Sequence, residues 1–122
     1  WRVGWRDRLA ALAHLKDNWD TYGAAPIKIQ TIIFASQVLD GIWHPGLPVP
    51  AIIPTSGEAV LMEWCESEVE FSLEVRAPYD ASYSFEDKSN NSLEEADFQE
   101  NIARPAALAK ALALPKLAHV AA

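Results

Sequence analysis

Glu68-Val69-Glu70-Phe71-Ser72-Leu73-Glu74-Val75-Arg76 alternates without a break. Val69, Phe71, Leu73 and Val75 fall on one side; Glu68, Glu70, Ser72, Glu74 and Arg76 fall on the other. Strand side chains point alternately to opposite faces, so this stretch reads as a strand with one dry and one wet face. Its neighbours follow suit. Ala59–Cys65 places Val60, Met62 and Trp64 on one face, entered through a Ser56-Gly57 turn. Ala51–Pro54 is a shorter strand, and Ser82–Glu86 offers Tyr83 and Phe85 as a further one. The linkers between them are short, which predicts an antiparallel meander of about four strands over residues 51–86.

Upstream, the period changes. Residues 3–16 read as a helix with Trp5, Leu9 and Leu12 on one stripe that Trp19 continues. Residues 28–43 read as a second helix with two apolar stripes: Ile29, Ile32, Ile33, Leu39 and Trp43 on one, and Phe34, Val38 and Ile42 on nearly the opposite side. A helix that is apolar on two faces must be covered twice. One face is expected on the sheet. Phe34, Val38 and Ile42 then form a candidate interface for the first helix, the C-terminal segment or a second copy of the chain. His44-Pro45-Gly46-Leu47-Pro48-Val49-Pro50 is a loop between helix and sheet.

Downstream, Ser92-Leu93-Glu94-Glu95 matches a capping box and predicts a helix through about Ile102. Pro105 can open another helix at its first turn. Residues 103–122 contain nine alanines, which favour a helix to about Leu114 and fraying after Pro115. The expected fold is therefore two-layer α+β in a single domain over 1–122. It comprises a helical pair over 3–43, an antiparallel sheet over 51–86 with both helices on one face, C-terminal helices over 92–114, and a frayed tail over 115–122.

Charge divides the chain. Residues 58–100 carry thirteen acidic side chains against Arg76 and Lys88, a local net of −11 within an overall −7. Such a middle opposes direct nucleic-acid binding, which needs a basic face. It suits a basic protein partner, or simple solvation. No apolar run approaches the ~20 residues that span a bilayer, and no secretory signal pattern opens the chain. With one cysteine, Cys65, no internal disulfide can form. These features fit a cytoplasmic protein.

Little in the sequence carries chemistry. His14, His44 and His119 have no second ligand at helical spacing, and no Cys-x-x-Cys occurs. No metal, cofactor or catalytic residue is assigned. Cys65 lacks a neighbouring base and reads as a small core or edge residue. Glu63, Glu70 and Glu74 can pair across strands, as an acid–base device or as solvated carboxylates. Asn18-Trp19-Asp20-Thr21-Tyr22-Gly23 is the most distinctive run. Trp19 and Tyr22 can flank a ligand that Asp20 hydrogen-bonds, or Asn18 and Asp20 can tie down a turn.

The longer run Leu15-Lys16-Asp17-Asn18-Trp19-Asp20-Thr21-Tyr22-Gly23-Ala24-Ala25-Pro26-Ile27 resembles a group of small bacterial proteins met in chromosomes, phages and other mobile DNA. Their signature is Asn-Trp-Asp-Gly-Tyr-Gly-Ala-x-Pro-Ile after a first helix. A Pro-Thr before a glycine turn and a strand ending in Glu-Trp accompany it, and Pro54-Thr55 and Glu63-Trp64 resemble these. The resemblance covers about residues 9–76. Thr21 replaces the usual glycine, and Lys28 stands near the usual helix cap. The group has no established function. The resemblance implies an accessory or mobile bacterial gene, a gene cassette for example.

Three functions are compatible with these residues. The first is a domain that binds a protein partner, or itself as a homodimer, without catalysis. The second is an acidic mimic of nucleic acid that inhibits another protein. The third is a ligand-binding or hydrolase domain using Trp19, Asp20, Tyr22 and Glu63.

Overall fold

The structure, a computed structural model, describes residues 2–12, 14, 27–55, 57–99 and 101–121. In chain order the elements are α1 (Arg2–Leu12), α2 (Ile29–Ile42), β1 (Ala51–Pro54), β2 (Val60–Glu66), β3 (Val69–Ala77), β4 (Asp80–Asp87), β5 (Ser92–Phe98) and α3 (Ala103–Ala121). The fold is α+β. Its strands form one antiparallel meander in the order β1-β2-β3-β4-β5.

The alternation of β3 is realised as read. Phe71, Leu73 and Val75 are fully buried, and Glu70, Ser72 and Glu74 point to the other face. Register carries the pattern outward: Trp64 stands opposite Phe71 and Phe71 opposite Phe85, while Met62 stands opposite Leu73 and Leu73 opposite Tyr83. The Trp64 and Phe71 rings stack with centroids 5.2 Å apart, and the Trp64 indole N–H donates to Pro48 O at 2.8 Å. Tight hairpins join the strands. Ser67, Tyr79 and Asn91 take positive φ in them at 55°, 61° and 57°, left-handed backbone that asparagine accepts more readily than tyrosine.

All three helices serve the dry face. α1 packs on β1 and α2, α2 on β2 and β3, and α3 on α2 and β3. Helix α2 corrects the expected pattern. Phe34, Val38 and Ile42 are buried together with Ile32, Ala35 and Leu39, one broad arc enclosed by the sheet, α1 and α3. The stripe expected to face the sheet is split instead: Ile32 and Leu39 point in, while Ile29 and Ile33 are half exposed. Lys28 supplies no side-chain cap; its carbonyl accepts the Thr31 and Ile32 N–H groups.

The C-terminal third departs most from expectation. Ser92–Phe98 is not a helix but a strand, the fifth of the sheet, and every residue of it pairs with β4. The reason lies in the preceding turn. Asp87 Oδ1 accepts from Ser89 N and Oγ, at 3.0 and 2.5 Å. The Ser92 hydroxyl donates to Asn90 at 2.7 Å, so it is held in the turn instead of capping a helix. A hairpin nucleated there, beside the unpaired edge of β4, prevails over a local helix signal. Helix α3 begins only after Asn101, whose Oδ1 accepts the Ala103 N–H at 3.1 Å, and Pro105 occupies its first turn. It also runs past Pro115 to Ala121 where a frayed tail was expected. The alanine- and leucine-rich sequence sustains it, at the loss of one backbone hydrogen bond at the proline.

Candidate functional site

With the helices gathered on one side, no described element covers the other face of the sheet. Register defines what it displays. One row across β2 to β5 is Leu61, Glu74, Ser82 and Asp97; the next is Glu63, Ser72, Ser84 and Glu95; the third is Cys65, Glu70, Glu86 and Leu93. Six carboxylates thus share this face. The serines lie between them in the middle strands and form a shallow depression of about 490 Å³ lined by Leu61, Ser72, Glu74, Ser82, Ser84 and Glu95.

Two cations are anchored at its margins. An irregularity in register between Val75 and Ala77 leaves Arg76 out of the ladder. Its guanidinium bonds Asp80 at 3.0 Å, Glu74 at 2.9 Å and Ser82 at 3.0 Å, with Asp97 at 3.4 Å. Asp80 first, then Glu74, raise the pKa of Arg76. Lys88 bonds Glu70 at 2.9 Å, and that carboxylate raises the lysine's pKa. Among the described residues no cation reaches Glu63 or Glu95. The face is therefore an exposed array of acceptors with unmatched negative charge, suited to ammonium, guanidinium and N–H donors.

A second cluster lies on the helix side of β5. Glu94 accepts Tyr83 Oη–H at 2.6 Å and a two-pronged contact from Arg104 of α3, at 2.6 and 2.5 Å. Arg104 first, then Tyr83, hold the Glu94 carboxyl at about 2, well below its ordinary 4.5. The same bond raises the pKa of Tyr83. This cluster ties the edge strand to β4 and to α3.

Among the expected site residues, Glu63, Glu70 and Glu74 do come together on the open face. Trp19, Asp20 and Tyr22 lie outside the described residues, as does most of the signature run. Phe34, Val38 and Ile42, expected as an interface, are 6%, 2% and 2% exposed and belong to the core, so they offer a partner no surface. Cys65 is exposed on the open face and is not a core residue. His44 accepts the Gly46 N–H on Nδ1 at 3.2 Å and so donates from Nε2 to Ala109 O at 3.1 Å, pinning the loop to α3. Among the described residues no three His, Cys, Asp or Glu side chains gather to hold a metal ion, and no helix is long and apolar enough to cross a membrane. Sequence reasoning missed Glu86, Glu95 and Asp97 of this face, the last two because a helix was expected there. The signal was the turn chemistry of Ser89-Asn90-Asn91.

Comparison of the chain with models of known protein families, with curated proteins and with solved structures returned no match.

Proposed function

We propose that this protein is a binding domain, without catalysis of its own, that presents the open face of its sheet to a basic partner protein. The observation that carries this is the gathering of Glu63, Glu70, Glu74, Glu86, Glu95 and Asp97 on one face, which no described element covers. Surface charges of one sign speed encounter with an oppositely charged partner and select against wrong ones. The resemblance of residues 9–76 to small bacterial proteins from mobile DNA makes a bacterial lysate the place to look for the partner.

Mimicry of nucleic acid is a second reading, supported by the same gathering of carboxylates. It ranks below the first because Ser72, Ser82 and Ser84 interrupt the rows. Phosphates of a nucleic-acid strand form an unbroken line.

An affinity capture from lysate tests both, with the wild-type chain and a Glu70→Lys, Glu74→Lys variant as baits. The expected result is a basic protein held by the wild type and lost from the variant. Equal retention on both baits, or none on either, overturns the reading. Release of the captured protein by added DNA would favour the mimic.

A further inference from the structure

The two edges of the sheet are treated differently. Beside β1, helix α1 packs along the strand, and Arg8 donates its Nε–H to Ile52 O at 3.0 Å. One outward carbonyl of that edge is thus capped, and α1 stands against it. Among the described residues, no strand lies beside the outer edge of β5, and Ser92, Leu93, Glu95, Ala96 and Asp97 are all exposed. An edge strand with free N–H and C=O groups is a template for one more strand.

We propose that the outer edge of β5 docks an extended segment of a partner protein, with basic and apolar side chains in alternation, as an added strand. This rests on the reading that the open face takes a basic protein, and it supplies the mode of contact. The two sides of β5 dictate the alternation. On the open side, Leu93, Glu95 and Asp97 project, and Glu95 has no cation among the described residues. Added side chains there lie beside carboxylates and are lysine or arginine.

On the helix side, the one acidic group, Glu94, is already held by Arg104 and Tyr83. Next to it lies a surface cavity of about 590 Å³ whose apolar wall is Tyr83, Ala96, Phe98, Ala103 and Pro105 and whose polar rim is Asp97, Gln99, Asn101 and Arg104. Arg104 is held by Glu94 and Asp97 lies 3.4 Å from Arg76, so the apolar wall is the part left to receive a side chain, and it takes an apolar one. A second copy of this chain is a poor occupant. Ser92–Phe98 holds Glu94, Glu95 and Asp97 and no basic residue, and pairing it with itself opposes like charges.

The test uses the intact chain and synthetic peptides, read by fluorescence anisotropy. The probe has seven residues, the length of β5, alternates lysine with valine and is capped at both ends. One control is methylated on all its peptide nitrogens, which keeps its charge and removes its strand-forming N–H groups. Another replaces the valines with serines. The expected result is binding of the probe, at least about tenfold weaker binding of both controls, and slowed amide exchange over residues 92–98 when the probe is bound. Failure of the probe to bind, equal affinity of the methylated control, or unchanged exchange over 92–98 overturns the proposal. If the edge fails while the charge-reversed bait still loses its partner, the open face binds without an added strand. If both fail, the reading of the open face falls with it.

Discussion

Glu94 shows how one side chain joins two elements. Its carboxylate accepts one hydrogen bond from β4, through Tyr83, and a two-pronged pair from α3, through Arg104. Those donors stabilise the charged form, which is why its pKa falls to about 2. The sign follows from linkage. A carboxyl whose folded pKa lies below its unfolded value adds stability above the unfolded value, and that stability is lost as pH falls through the folded value. Glu94→Gln is thus expected to be less stable than wild type at pH 7. The gap should narrow as pH drops from about 4.5 towards 2. Urea denaturation of both proteins across that range checks it; a gap that stays constant would show that the carboxylate's charge is irrelevant.

Helix α2 illustrates what an element's pattern can and cannot say. Seven of its fourteen residues are buried, so both stripes were correctly seen as apolar. Which stripe faces inward depends on what surrounds the helix, and α1, α3 and the sheet enclose the arc centred on Val38. Had Val38 lined an interface, Val38→Asp would give a folded monomer. In the core it buries an unpaired charge, and the loss is expected to be about 4 kcal/mol or more. Circular dichroism together with native mass spectrometry should then show unfolding, not a change of oligomeric state. Strand β5 teaches the converse. Ser92-Leu93-Glu94-Glu95 satisfies a helix-start pattern, but such a pattern is worth only about 1 kcal/mol. A ladder of hydrogen bonds along β4, opened by the turn at Ser89-Asn90-Asn91, outweighs it.

Across the whole molecule, charge and layering act together. The three helices lie on one side, and on the other, six carboxylates stand close in register against the two marginal cations Arg76 and Lys88. Screening should relieve that repulsion. Raising NaCl from about 0.01 M to about 0.15 M shortens the Debye length from roughly 30 Å to roughly 8 Å. Stability should rise, by about 1 kcal/mol or less given the exposure of these groups. Glu63→Gln with Glu95→Gln, which removes two carboxylates that lack a cation among the described residues, should show a smaller rise. Urea midpoints at the two salt concentrations decide the matter. A midpoint that falls with salt would mean that the ion pairs of Arg76, Lys88 and Arg104 outweigh the repulsion.

The α+β class, the alternation of β3, the meander from β1 to β4 and the place of Glu63, Glu70 and Glu74 on a wet face were legible in the residues themselves. Periodicity records which side of an element is dry, and short linkers leave consecutive strands little choice but to pair. The fifth strand, the inward turn of Phe34, Val38 and Ile42, the capping of β1 by Arg8 and the exposure of β5 were decided only by tertiary structure. Apart from the fifth strand, whose partner β4 is adjacent, each depends on what lies distant in the chain: β3 and α3 for the helix, α1 for one edge of the sheet, and, among the described residues, the lack of a further strand for the other. A local pattern has no means of registering such a neighbour, because its contribution appears only when the layers have come together.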